Sequence, residues 1–326
     1  MVSTALRRSD LVEVRSPAEI LSTLDENGCL EGLPFMPEMV AHCGGRFVVD
    51  KRANKICDTT QNNSGSRELP DTVLLGELRC DGSAHQGCQQ SCRMFWKESW
   101  LRKVAPADPP SAPAPEEDVQ RLLALVRSAM KRPMEAGPGA HERWRCQLTE
   151  LYDASSGISV WNPCSYLKQF TSGNIGLGHC LRVSARATVE EPMRWAGVFP
   201  HPHLRGTATG PVYETLDLKP GEWVQVKSKE EIRATLLPTG MNRGLWFDRE
   251  MAVYCDGKYR VKQRITRFID DQKFHGRMIE MKTDAVTLEG VVCIGDLSHM
   301  KWFCPREIPP FWRECWLRRT TPPTQS

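Results

Sequence analysis

The chain repeats itself, and the repeat constrains the fold more than any other feature, because each copy must carry its own core. At a constant offset of 212, Leu11-Val-Glu-Val14 matches Trp223-Val-Gln-Val226, and Ser16–Leu24 matches Ser228–Leu236. Gly28, Gly32, Leu33, Met39, Cys43 and Gly45 recur as Gly240, Gly244, Leu245, Met251, Cys255 and Gly257. Phe47, Val49, Arg52 and Asp58 recur as Tyr259, Val261, Arg264 and Asp270. After one added residue, Asp71, Val73, Leu75 and Cys80 match Asp284, Val286, Leu288 and Cys293. After three more, Cys88, Phe95, Trp96, Glu98 and Trp100 match Cys304, Phe311, Trp312, Glu314 and Trp316.

Each copy opens on a short alternating strand. A helix follows, begun by a capping box, Ser16 with Glu19 and Ser228 with Glu231, in which the serine oxygen accepts an early N–H and the glutamate reaches back. A second short helix is expected near Pro37–Cys43 and Asp248–Cys255. Strands follow at Arg46–Lys51 and Lys258–Arg264, with Phe47, Val49, Tyr259 and Val261 inward. Met278–Lys282 and Ala285–Val292 read as further strands. The aromatic run Phe95, Trp96, Trp100 is expected to close the repeat as an amphipathic helix. Its bland reading is core packing; the sharper one is a platform for stacking bases or sugars.

Short strands with turns between them suit a small barrel. The expected class is therefore α+β, mainly β: two duplicated SH3-like barrels with short helices, joined by a helical and mixed middle region. The first module is set at residues 1–104 and the second at 216–326. Residues 105–140 hold a proline-rich linker and a helix over Glu116–Arg132, broken by Pro133–Gly139. Residues 141–215 form a middle region that matches neither copy.

Thirteen cysteines in 326 residues, an odd count, fit reduced thiols better than a secreted disulfide framework. No apolar run is long enough to cross a bilayer, and the first fourteen residues lack a signal-peptide core, so a cytoplasmic protein without membrane contact is expected. A net charge of +3 gives no global argument for nucleic acid.

Cys80-Asp-Gly-Ser-Ala-His85-Gln-Gly-Cys88-Gln-Gln-Ser-Cys92 is the densest ligand stretch. Cys43 and Cys255 recur and read as core. Cys57 aligns with Ile269 and Cys92 with Ile308, whereas Cys80 and Cys88 persist as Cys293 and Cys304. The first copy thus carries Cys57, Cys80, Cys88 and Cys92 as metal-ligand candidates, and the second keeps a degenerate pair, Cys293 and Cys304. Thiolates select zinc, copper(I) or iron–sulfur clusters. The gap between Cys80 and Cys88 departs from the usual zinc knuckle. An open iron–sulfur cluster would use Cys80, Cys88 and Cys92, with Cys146 as a further ligand. The rivals are buried thiols without metal and a redox disulfide pair.

His85, and His299 in a similar place in the second copy, are either ligands or solvated loop residues; His85 is the candidate catalytic group. His201 and His203 read as a proline-rich surface turn or a weak metal pair. Lys258, Arg260, Lys262 and Arg264 share one strand face, which suits either solvent or phosphates. Phosphate loops, nucleophile elbows, zinc-protease helices and dinucleotide fingerprints are absent from the sequence.

Gly32-Leu-Pro-Phe-Met-Pro-Glu-Met39, Arg79-Cys-Asp-Gly-Ser-Ala-His85 and Phe95-Trp-Lys-Glu-Ser-Trp100 together resemble an uncharacterised bacterial family of cysteine-rich proteins with duplicated SH3/KOW-like modules, associated with specialised-metabolite gene clusters. The resemblance implies a biosynthetic setting and transfers no catalytic residue. The expected function is a metalloprotein of specialised metabolism, with an iron–sulfur centre in the first copy acting as a Lewis acid or in sulfur transfer on a small-molecule substrate. The alternative is a non-catalytic, zinc-stabilised module that binds nucleic acid or a biosynthetic partner protein.

Overall fold

The computed structural model describes residues 5–59, 65–132, 142–159, 162–196, 204–270, 276–298 and 301–323. The fold is mixed α+β and its two cores are built on antiparallel sheets. The chain divides into two compact units. The first comprises Met1–Cys180 with Ile269–Ile279 and Phe303–Arg306; the second comprises Leu181–Phe268, Glu280–Trp302 and Glu307–Ser326.

In the first unit the sheet order is Arg93–Lys97, Thr72–Arg79, Arg46–Arg52, Leu11–Val14, Leu101–Lys103. Val12 faces Phe47 on one side and Lys103 on the other. A bulge falls between Val49 and Lys51. It lets the Arg46–Arg52 strand bend around a core that includes Val12, Val14, Val49 and Trp96. The Glu116–Ala129 helix packs on the Pro17–Leu21 and Pro37–Val40 helices through buried Leu122 and Val126.

In the second unit the order is Val286–Leu288, Lys258–Arg264, Trp223–Val226, Leu317–Arg319. Val224 faces Tyr259 and Arg319. A bulge falls between Val261 and Gln263. Each of these positions is the sequence match of one in the first unit, so the two sheets share register as well as order.

Buried side chains repeat too. Phe35 meets Trp96 and Trp100 edge-on at 6.1 and 5.1 Å between centroids. Phe247 meets Trp312 and Trp316 edge-on at 5.9 and 5.2 Å. The indole N–H of Trp100 donates to Thr23 Oγ1, and that of Trp316 to Thr235 Oγ1, each at 3.0 Å. Arg52 pairs with Glu98, and Arg264 with Glu314 at 2.7 Å. Both capping boxes form.

Some expectations are corrected. The aromatic run is not a helix: Arg93–Lys97 is a strand followed by a single 3-10 turn over Glu98–Trp100. All five strand residues are buried, so both faces are covered and neither a helical nor an alternating period shows. The second short helix of the later copy is 3-10, over Arg249–Tyr254. The helix after the linker ends at Ala129. The strands expected at Met278–Lys282 and Ala285–Val292 shorten to Met278–Glu280 and Val286–Leu288. Pro133–Gly139 lies outside the described residues.

Candidate metal centre

Glu38 stands in the first turn of the Pro37–Val40 helix, where Pro37 presets the backbone angle of the opening residue. The stretch after the Thr72–Arg79 strand turns back at Gly82, whose φ of +71° is glycine territory. A Cβ there would lie 2.0 Å from the Cys88 carbonyl oxygen. This turn brings Cys80 and His85 onto Glu38.

Three groups converge on Glu38 Oε1. His85 Nδ1 lies at 2.8 Å, the Ala84 N–H donates at 3.2 Å, and the Cys80 thiol donates at 3.6 Å. The other oxygen, Glu38 Oε2, is buried and has no protein partner. Ligand atoms of Glu38, Cys80 and His85 all lie within 4.8 Å of one another, which makes them a metal-sized group among the described residues. His85 is 1% exposed and the Glu38 side chain 4%. On its far side, His85 Nε2 sits 3.2 Å from the Arg145 carbonyl. Without an ion, Nδ1–H donates to Glu38; with an ion bound, a proton on Nε2 alone would keep the Arg145 contact as a hydrogen bond and leave the Nδ1 lone pair for the metal. Metal-binding imidazoles are commonly held this way.

Burial lifts the Glu38 pKa, but the His85 hydrogen bond and charge and the backbone N–H groups more than offset it, so the carboxyl is held below its usual range. Burial drives the Cys80 thiol far up, and the charges of Glu38, Cys92 and Cys146 add to the rise. Burial pushes Cys146 up to about 12, with Cys88 adding to it. Cys88 is raised by burial, against hydrogen bonds from the Gln90 and Ile269 backbones. These thiols are neutral at pH 7 unless a cation replaces their protons.

The second unit holds the same carboxylate in another role. Glu250, at the offset of 212 from Glu38, accepts Leu297 and Ser298 N–H on Oε1 at 2.7 and 2.6 Å, and Asp296 N–H on Oε2 at 3.3 Å. Both of its oxygens are used by the loop backbone. In the first unit His85 and Cys80 stand in that loop and one oxygen is left over.

The structure separates the sequence candidates into groups. Cys80 and His85 meet Glu38. The Cys80 N–H donates to the Cys92 carbonyl at 2.8 Å, as the Cys293 N–H does to Ile308. Cys92 and Cys146 lie near enough to Cys80, and Cys88 to Cys146, that a thiolate at one would raise the pKa of the other. Cys57 goes elsewhere: its N–H donates to Cys304 Sγ at 3.1 Å. Correspondingly, the Ile269 N–H donates to Cys88 Sγ at 3.3 Å. His201, His203 and His299 lie outside the described residues. Phe95, Trp96 and Trp100 are buried and present no stacking face. On the basic strand, Arg264 pairs with Glu314 and Asp217, and Arg260 approaches Glu289 at 4.0 Å.

Glu38 is the functional candidate that motif spacing misses. A glutamate in a first helical turn is ordinary, but its recurrence as Glu250 is a signal carried by the repeat. Among the described residues, no helix is long and apolar enough to cross a membrane. No protein-family model, curated protein or solved structure matches the chain.

Proposed function

We propose that this is a zinc-stabilised, non-catalytic binding protein, in which two copies of one SH3-like module share the chain and the first copy carries the metal. The observation that carries the reading is Glu38 Oε2, a buried carboxylate oxygen without a partner beside a buried imidazole and a thiol. An unpaired buried acceptor is costly, and a cation at this point would satisfy it. Zinc suits the mixed oxygen, nitrogen and sulfur donors, whereas iron–sulfur clusters are held by thiolates. Cys92 and Cys146, which lie near Cys80 in the first core, are the candidates for a fourth ligand. A closed, buried, four-coordinate site is the structural kind of zinc site.

The ion would pin the Cys80–Cys92 stretch to the Pro37–Val40 helix. Through His85 it would also hold the Arg145 backbone. The partner is taken to be another protein, since two of the four cations on the Lys258–Arg264 strand are occupied by ion pairs. The duplication reading is supported by matching strand registers, bulges and Phe–Trp contacts.

A second reading has one specific support, the gathering of thiols in the first unit, where Cys80 and Cys92 pack on the core that holds Cys146, and Cys88 lies near Cys146. Those four thiols would hold an iron–sulfur cluster. The protein would then be an enzyme of specialised metabolism, a lyase or a sulfur-transfer catalyst with a small-molecule substrate. Elemental analysis and a visible spectrum of protein purified without oxygen decide between the two. A colourless protein with one zinc supports the first; a brown protein with iron and acid-labile sulfide overturns it in favour of the second.

A further inference from the structure

Cys57 and Cys304 are 247 residues apart in sequence and touch in the first unit, where the Cys57 N–H donates to Cys304 Sγ. Both are buried, 4% and 6% exposed. Two cations attend them. Arg306 Nη1 lies 3.7 Å from Cys57 Sγ and donates to the Cys57 carbonyl at 3.0 Å and to Thr59 Oγ1 at 3.1 Å. Lys55, in the bend just before the Ile56–Cys57 strand, is 1% exposed and lies near enough to Cys304 and Cys57 to interact with both through charge. Its ammonium also lies 5.8 Å from the centre of the Tyr166 ring. A buried ammonium and a guanidinium beside two thiols is the environment that favours a thiolate.

The repeat supplies an internal control. Cys88 is the sequence match of Cys304, Ile269 of Cys57, and Gln90 of Arg306. At that position the same backbone hydrogen bond forms, from Ile269 N–H to Cys88 Sγ, and Gln90 Nε2 donates to the Ile269 carbonyl at 3.3 Å. The scaffold is therefore common to both positions. A second thiol and a cation in place of the glutamine are particular to the Cys304 position.

The geometry points to a redox centre at Cys57 and Cys304, in which a small peroxide oxidises the pair to a disulfide, with Lys55 and Arg306 as positioning residues. The Cys304 thiolate attacks one peroxide oxygen. The O–O bond breaks, and the departing hydroxide takes up a proton and leaves as water. Cys304 is then a sulfenic acid. The Cys57 thiol attacks its sulfur, the S–O bond breaks, and the Cys57 proton leaves with the hydroxyl as a second water. The two sulfurs are oxidised by two electrons in all, and peroxide is reduced to two waters. Burial holds the Lys55 pKa down to about 8, against the pull of the two thiols, which leaves it mostly protonated at pH 7. Burial also restricts the oxidant to a small one, so hydrogen peroxide should outpace bulky maleimides.

This inference is independent of zinc at Glu38, Cys80 and His85. The test uses the full-length reduced protein, treated with stoichiometric hydrogen peroxide, blocked with iodoacetamide and mapped by mass spectrometry without reduction. Zinc is measured on the same sample, so failure of one reading leaves the other standing. The expected result is a linked Cys57–Cys304 peptide pair, with Cys88 still an alkylated thiol. Cys57→Ser should stop Cys304 at the sulfenic acid, trapped by dimedone. Lys55→Met should slow oxidation of Cys304 by about tenfold, the value of one pKa unit in thiolate fraction. Lys55→Arg should restore it, and an unchanged alkylation rate at Cys88 reports that the unit still folds. Cys57 and Cys304 remaining alkylatable after peroxide, or linkage among other cysteines, would overturn the proposal. So would a Lys55→Met variant that reacts like the parent.

Discussion

Glu38 and Glu250 occupy matched positions, yet Glu250 has hydrogen-bond donors on both carboxylate oxygens whereas Glu38 leaves Oε2 bare beside His85. If the bare oxygen holds a metal, the two glutamates answer differently to the same change. Glu38→Gln should lower zinc affinity by at least about 100-fold, the upper range for loss of a supporting partner. Glu250→Gln should leave zinc content as it was and lower only the melting temperature. Competition titration with a zinc chelator measures both.

The turn at Gly82 sets the distance between Cys80 and His85. A methyl group at Gly82 meets the Cys88 carbonyl and the residue keeps a left-handed φ. Such strain costs about 1–3 kcal/mol. Gly82→Ala should therefore weaken zinc binding by roughly 10-fold or more, at 1.4 kcal/mol per factor of ten. Adding zinc should recover part of the lost thermal stability. If the variant binds zinc like the parent, the turn does not organise the site.

Acid should loosen the first sheet through Glu13. Its carboxylate is 1% exposed and takes hydrogen bonds from Ser111, Arg46 and Arg102. Burial raises its pKa, but those three partners outweigh burial and hold it at about 2, against 4.5 for a free glutamate. A depressed folded-state pKa gives stability that is complete above the unfolded value and lost as protons bind. The contribution from Glu13 should thus be intact above pH 4.5 and fade between there and about pH 2. Denaturant midpoints measured across that window should fall more steeply in the parent than in Glu13→Gln, which starts lower and has less to lose.

The matched Trp–Thr hydrogen bonds allow the two cores to be probed in parallel. Thr23→Val and Thr235→Val each remove the hydrogen-bond acceptor of a buried indole and should each cost about 1 kcal/mol or somewhat more. Phe35→Ala and Phe247→Ala each empty a site between two tryptophans and should each cost about 3–5 kcal/mol. Chemical denaturation followed by tryptophan fluorescence reads all four. A cost confined to one member of either pair would mean that the two cores are not energetically alike.

Much of the fold is legible before any coordinates, because the repeat acts as its own alignment. The offset that pairs Val12 with Val224 and Val49 with Val261 also pairs their strand partners and their bulges. The capping serines carry their own chemistry. Two kinds of information are not legible. The alignment of the two copies groups Cys57 with Cys80, Cys88 and Cys92, whereas its contact is with Cys304; spacing along the chain says nothing about a partner that remote. The aromatic closing segment shows no strand period because Arg93–Lys97 is buried throughout. Cys80 and His85 are visible as a ligand-rich loop, but the carboxylate they meet sits far upstream on a helix of four residues.

The most direct test of the metal assignment is X-ray absorption at the zinc edge on protein loaded with one equivalent. The account predicts a mixed shell: one or two sulfurs at about 2.3 Å with nitrogen and oxygen at about 2.0–2.2 Å, the nitrogen lost in His85→Ala and a sulfur lost in Cys80→Ser. A shell of four sulfurs, or a shell unchanged by both substitutions, would contradict it.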